Sequence, residues 1–145
     1  MDQNLQVKII GDGPIYQDLS NKYNSEKIQF YGRLDNSEVL QLIRNSKAVI
    51  TVTKLYEGQP TLLCEAASLG VPSIFPKTGG VGEFFPDKYL LSFSQFDYDD
   101  LVKKIKLLND TDLIQQQGVE SKNFINDYIS ENRLIELFEM VLSND

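Results

Sequence analysis

Ala48-Val-Ile-Thr-Val-Thr-Lys-Leu-Tyr-Glu-Gly-Gln-Pro-Thr-Leu-Leu-Cys-Glu-Ala-Ala-Ser-Leu-Gly-Val-Pro-Ser-Ile-Phe75 reads as strand, loop, helix and strand in succession. Ala48–Thr53 is a nearly continuous β-branched run, as expected for a strand covered on both faces. Pro60 marks the start of the helix, because proline fixes φ and gives up an amide that the first turn leaves unpaired anyway. Gly70 marks its end, where a left-handed cap meets no steric penalty. Val71–Phe75 forms the next strand, with Pro72 tolerable only at its first residues. Two strands joined through a helix, with no hairpin between them, predict a parallel pair.

Within the helix Leu62, Leu63, Cys64, Ala66, Ala67 and Leu69 are apolar and spread round most of the circumference, which predicts burial on several sides. Glu65 stands alone among them, and an ionised carboxylate taken out of water needs a binding partner. Glu57 lies just ahead of the helix start, where free amides and the positive end of the dipole favour an anion. Two carboxylates flanking an anion-binding helix end suit a ligand with hydroxyls at both ends and a phosphate between them.

The same alternation extends outward in both directions. Leu5–Ile10 and Ile28–Tyr31 read as short strands. Gly11-Asp12-Gly13-Pro14 turns into an amphipathic helix carrying Ile15, Leu19 and Tyr23, and a second helix carries Val39, Leu40, Leu42 and Ile43 inward, with Asn36 as its cap and Glu38 adding favourable charge. A dinucleotide fingerprint at Gly11 would require a third glycine where Tyr16 stands, so a tight strand-to-helix turn is the better reading. After Phe75 comes the glycine-rich Pro76-Lys-Thr-Gly-Gly-Val-Gly82, at what should be the carboxyl end of a strand, where open α/β sheets collect ligands. Lys77 is placed to meet a phosphate there or simply to face solvent. Tyr89–Phe93 is a fifth strand. Helices follow near Tyr98–Leu108, Thr111–Tyr128, where Gly118 interrupts the pattern, and Glu131–Leu142; Leu101, Ile105, Leu108, Leu134, Leu137, Phe138 and Val141 recur at helical spacing as core positions. The expectation is a single α/β domain over residues 1–145, a Rossmann-like parallel sheet of about five strands with helices on both faces and additional C-terminal helices.

Composition narrows the chemistry. The 145 residues are 41% hydrophobic, enough for a core, and hold no apolar run of bilayer-spanning length and no N-terminal signal pattern. With 14 basic against 21 acidic residues the formal charge is −7, which disfavours nucleic acid or anionic lipid as partner of the whole domain. The single cysteine, Cys64, reads as a small packing residue. The absence of histidine removes the commonest acid/base group and metal ligand, leaving carboxylates, lysine, arginine, backbone amides or the substrate itself to act.

Glu57-Gly-Gln-Pro-Thr-Leu-Leu-Cys-Glu65-Ala66 resembles the E-x7-E signature of the large retaining family of GT-B type glycosyltransferases, the glycosyl transferases group 1, in their C-terminal, donor-binding half. Gly70-Val71-Pro72 and Gly79-Gly80-Val-Gly-Glu83 continue the likeness. Ile10-Gly11-Asp12-Gly13-Pro14 and Phe30-Tyr31-Gly32-Arg33-Leu34 stand where that family has a "GxGP" turn and an "FxG" strand end. The resemblance implies a hexosyltransferase drawing on a nucleotide-diphosphate sugar, acting on a glycan or lipid-linked acceptor in polysaccharide or lipopolysaccharide biosynthesis. It implies Glu57 as the catalytic-site carboxylate on the transferred sugar and Glu65 on the ribose hydroxyls. Gly58, Gln59, Pro60, Thr61 and Leu62 would surround sugar and diphosphate, the amides of Gln59, Thr61 and Leu62 facing them while Pro60 cannot donate. Arg33 and Leu34 would neighbour the base. No metal and no cofactor are expected.

The resemblance also implies parts not seen in this sequence: an arginine and a lysine that clamp the diphosphate, and an N-terminal Rossmann domain holding the acceptor. The chain is therefore expected to act as part of a longer enzyme, inactive in transfer by itself, in the cytoplasm or at the inner face of a membrane. The alternative is a non-catalytic Rossmann-like binding or interaction module, in which Glu57 caps the helix and Glu65 meets a cation such as Arg33, Lys54 or Lys77. A receiver-like signalling domain fits poorly, since the third strand ends at Thr53-Lys54 with no phospho-accepting aspartate.

Overall fold

A computed structural model describes residues 5–142, which alternate β1 (Val7–Ile10), α1 (Tyr16–Tyr23), β2 (Ile28–Gly32), α2 (Asn36–Arg44), β3 (Val49–Ile50), α3 (Thr61–Ser68), β4 (Ser73–Lys77) and β5 (Ser92–Ser94) before the helices α4 (Tyr98–Lys106), α5 (Thr111–Tyr128) and α6 (Glu131–Leu142). Every strand pairing is parallel. The α/β class, the parallel pairing and the additional C-terminal helices are as the sequence predicts, but the strands sort into two sheets, β1-β2 and β3-β4-β5. Two compact units result, Met1–Leu42 and Ile43–Asp145. Among the described residues no helix is long and apolar enough to cross a membrane.

In the first unit β1 and β2 pair from Val7 opposite Ile28 to Ile9 opposite Phe30, and a shift of register then sets Ile10 opposite Gly32. The Gly11 amide donates to the Gly32 carbonyl at 2.7 Å, and both glycines hold positive φ, 134° and 67°. A side chain at either position would be strained. The stripe Ile15, Leu19 and Tyr23 is exposed rather than core. The helix starts at Tyr16, so Ile15 falls outside it, and the inward face is that of Tyr16, whose ring meets Phe30 edge-on at 5.9 Å. The start of α2 is fixed one residue ahead of the expected cap: the Asp35 amide donates to the Glu38 carboxylate at 3.1 Å, one half of a capping box, and the Asp35 backbone carbonyl accepts from the Glu38 amide at 3.0 Å.

In the second unit β4 is central and Ser73–Pro76 are buried. The strand begins two residues later than predicted, with Val71 and Pro72 leading into it. Pro76 is tolerated inside it for a directional reason. The Ile74 carbonyl accepts from the Thr51 amide at 3.0 Å, so position 76, two residues on, also turns its backbone toward β3, where strand pairing has ended at Ile50. The β-branched run of Ala48–Thr53 thus supplies only two residues of strand, and Ile50 and Val52 are exposed. Branching favours extended backbone, and β3, paired on one side only, is not covered on both faces.

Phe75 packs against Phe85 at 4.4 Å and Tyr89 at 5.5 Å between ring centres. Tyr89 is not a strand residue: its amide closes a turn on Pro86, and its hydroxyl reaches back to β4, donating to the Ser73 carbonyl and accepting from the Ser73 amide, both at 2.7 Å. Strand β5 is accordingly confined to Ser92–Ser94. Helix α3 turns Leu63, Ala66 and Ala67 inward and packs on α5. It closes at Gly70 (φ 75°) with the Gly70 amide on the Ala67 carbonyl at 2.8 Å and the Val71 amide on the Ala66 carbonyl at 2.9 Å. Gly118 does not interrupt α5, which is continuous; a Cβ there would run into the Gly70 carbonyl, so glycine permits the close approach. The side chains of Asp97 and Asp110 cap α4 and α5 on the amides of Asp100 and Leu113. Leu108 is buried, Leu101 and Ile105 are half-buried, and Leu134 is exposed rather than core. The side chains of Leu137, Phe138 and Val141 lie outside the described ones.

Candidate functional site

Strands β3 and β4 release the chain at the same edge of their sheet, β3 into the loop that carries Glu57 and β4 into Thr78-Gly79-Gly80. The two loops are fastened together. The Thr78 hydroxyl donates to the Leu55 carbonyl at 3.4 Å and the Gly80 amide to the Glu57 carbonyl at 3.0 Å. Gly79 holds φ 53°, and a Cβ on it would run into the Glu57 carbonyl, while one on Gly80 would sit 3.3 Å from the Gly58 carbonyl. Glycine at both positions lets one loop lie backbone to backbone on the other, which fixes where the chain presents Glu57.

Beside this junction is a cavity of about 190 Å³ lined by Thr51, Thr53, Glu57, Pro60, Thr61 and Leu62, with Phe75 and Val81 beneath. It opens at the N-terminus of α3. Pro60 is the cap of that helix rather than its first residue: the helix begins at Thr61, and the Pro60 carbonyl accepts from the amides of Leu63 and Cys64, both at 3.0 Å. Of the three amides expected to face a ligand, that of Thr61 is engaged by the Gln59 carbonyl at 3.1 Å. Those of Gln59 and Leu62 make no hydrogen bond among the described residues. Partial positive charge therefore remains at the helix start, next to an acidic side chain that can accept hydroxyl protons.

Glu65 is half-buried, not enclosed. Leu63, Ala66 and Ala67 form one inward face, while Thr61 and Leu62 are exposed, so α3 is not buried all round and the desolvation demand on Glu65 is smaller than its sequence setting implies. Its neighbour Cys64 is half-buried, and burial, followed by the Glu65 carboxylate, pushes the thiol pKa up.

The structure thus brings Glu57, Pro60, Thr61 and Leu62 to one cavity, with Gly58 and Gln59 in the exposed loop before the helix and Glu65 one turn further along it. Arg33, exposed, and Leu34, half-buried, belong to the first unit, directly after β2. Lys54 and Lys77 are exposed, and neither makes an ion pair among the described residues, so neither is the partner that a structural role for Glu65 would need. The sequence reading missed Thr51 and Thr53 as lining residues. Their signal was their spacing: two hydroxyl residues at i and i+2 share one face of an extended segment.

The family model for glycosyl transferases group 1 matches residues 1–124. Protein CapJ of Staphylococcus aureus is 30% identical over 148 residues, covering 97% of this chain and 36% of CapJ. The uncharacterized glycosyltransferase MJ1178 of Methanocaldococcus jannaschii is 29% identical over 128 residues, covering 85% of this chain and 36% of that protein. Among solved structures, that of Anabaena Alr3699/HepE in complex with UDP superposes with a TM-score of 0.78 at 14% identity, over 99% of this chain and 42% of that one. The chain spans about a third of the length of the curated relatives it matches.

Proposed function

The chain belongs to the glycosyl transferases group 1 family, and from that premise we propose that it is the nucleotide-sugar-binding part of a retaining glycosyltransferase that moves a hexose to a glycan or lipid-linked acceptor in polysaccharide or lipopolysaccharide biosynthesis. The observation that carries the reading is the cavity at the carboxyl ends of β3 and β4, where Glu57 stands beside the start of α3. A carboxylate there accepts hydroxyl protons from the transferred sugar, and the unengaged amides of Gln59 and Leu62 meet the charge that grows on the departing diphosphate. Glu65 takes the ribose hydroxyls. HepE, the structural neighbour solved with UDP, supports a nucleotide diphosphate as the ligand class.

Retention follows a front-face route in this proposal. The bond from the anomeric carbon to the diphosphate oxygen breaks, the acceptor oxygen bonds to the same face, and its proton passes to the departing phosphate. That route asks for no protein nucleophile and no histidine, and the sequence holds no histidine. The acceptor would be held by an N-terminal Rossmann domain of the longer enzyme, working in the cytoplasm or at the inner face of a membrane, with no metal or cofactor in the site.

Titration of the chain with UDP-, GDP- and ADP-sugars tests the reading. One donor is expected to bind saturably, Glu65→Ala to weaken it by about tenfold or more, as loss of charge-assisted hydrogen bonds does, and Glu57→Gln to weaken the sugar nucleotide more than the nucleotide alone. Absence of binding by all three would leave a non-catalytic Rossmann-like module.

A further inference from the structure

Helix α4 packs on β4 and β5 with one side and shows the other to solvent. Tyr98, Asp99, Val102, Lys103 and Lys106 recur at three- and four-residue intervals, and all are exposed. Acid in the first turn and base in the last suit the helix dipole, but two features lie outside that account. Tyr98 and Val102 hold an aromatic and a branched aliphatic side chain in water, one turn apart. Just ahead of them Phe96 is 60% exposed and, among the described residues, is the one non-glycine with positive φ, 69°. It is the third residue of a turn that the Asp97 amide closes on the Ser94 carbonyl at 2.9 Å, at a φ that glycine ordinarily supplies. A left-handed backbone is strained for a bulky residue, and a ring left in water repays none of that strain.

The charges sort along the same face. Asp97 caps the helix and Asp100 accepts from the Ser94 amide at 3.3 Å, so both of these acids are engaged. The side chains of Asp99, Lys103 and Lys106 have no hydrogen bond or ion pair among the described residues. A face with acid at one end and base at the other is complementary to itself when turned end over end, which is what a twofold axis across the helix does.

We propose that this face of α4 is a homodimer contact, in which two copies of the chain set their α4 helices antiparallel. Asp99 of each copy meets Lys103 and Lys106 of the other, the opposed helix dipoles attract, and Phe96, Tyr98 and Val102 leave water between them. Parallel helices would set like charges opposite, so the order of charges selects the twofold arrangement. A nine-residue helix is only about 14 Å long, too short by itself to cover the roughly 800 Å² per partner of a standard interface, so the association is weak and reversible. The contact is independent of the donor-site reading.

Sedimentation equilibrium of the 145-residue chain, from about 10 μM to about 1 mM, tests the contact. At about 0.15 M salt the screening length of about 8 Å mutes the repulsion between copies of net charge −7 and leaves ion pairs in contact. A monomer–dimer equilibrium within that range is expected. Asp99→Lys makes the charges of the face wholly basic, and Lys103→Asp with Lys106→Asp makes them wholly acidic; each variant is expected to weaken self-association by about tenfold or more. Mixed one to one, the two are expected to pair with each other more tightly than the parent pairs with itself. Phe96→Gly relieves the positive φ, so it is expected to raise the melting temperature while weakening the dimer several-fold; a merely local role for the ring would move the melting temperature alone. All the substituted side chains are exposed, and circular dichroism checks that each variant folds as the parent does. A parent chain that stays monomeric to about 1 mM overturns the proposal and leaves the face to a different partner. A dimer that both charge variants leave unchanged lies on another surface and overturns it too, as do charge variants that stay monomeric when mixed.

Discussion

Tyr89 is the most consequential single side chain in the core of the second unit. Its hydroxyl satisfies both the amide and the carbonyl of Ser73 in the buried central strand, so Tyr89→Phe leaves two polar groups without partners and is expected to cost about 1–3 kcal/mol, read by denaturant unfolding. Burial raises the phenol above its ordinary value of 10. Below pH 10 the phenol is protonated in both folded and unfolded chains, and its contribution does not vary with pH. Above it the unfolded chain loses the proton first, so stability should fall as pH rises, and Tyr89→Phe should remove that part of the decline. Gly79 belongs to the same scale. An alanine there meets a left-handed backbone penalty of about 1–2 kcal/mol and a collision with the Glu57 carbonyl. Gly79→Ala should therefore lower stability by about 1–2 kcal/mol, read by denaturant unfolding, and, by pushing the Glu57 loop aside, weaken donor binding in the same titration that tests the site.

At the level of elements, the sequence was most readable where backbone chemistry is local. Helices α5 and α6 have the bounds read from the sequence, α3 starts one residue after the proline expected to open it, and Gly70 closes α3 by the expected left-handed cap. It was less readable where a long-range partner decides. Nothing around Ala48–Thr53 tells that β3 will pair on one side only, and nothing around Tyr89 tells that its ring will turn under β4 instead of extending β5. The candidate site divides the same way: Glu57 and the start of α3 are legible from Glu57 to Gly70, whereas Thr51, Thr53 and the Thr78–Leu55 fastening depend on two strands lying side by side. The meaning of Gly118 also emerges only from its neighbour. Because α5 passes so close to the Gly70 carbonyl, Gly118→Leu is expected to cost about 1–3 kcal/mol or more through overpacking, despite leucine's better helix propensity, with thermal unfolding as the measure.

For the molecule as a whole, the relatives CapJ and MJ1178 are each almost three times the length matched here, this chain covering 36% of either. If the acceptor is held by a separate domain, as proposed, binding and transfer should come apart. The 145-residue chain incubated with its preferred nucleotide sugar and a glycan or lipid-linked acceptor is expected to bind the donor while forming no glycoside at the rate of an intact enzyme, as followed by release of nucleotide diphosphate. Transfer at such a rate would mean that both substrates are served by these residues alone.

The sole sulfhydryl of the chain lies on α3 between Leu63 and Glu65, half-buried and kept protonated by its surroundings and by the adjacent carboxylate. Since thiolates are the form that oxidants and electrophiles attack, the helix that frames the Glu57 cavity is expected to react slowly with them at neutral pH. Glutathionylation and covalent dimer formation are therefore expected to be slow at this position, with the rate of thiol modification as the measure.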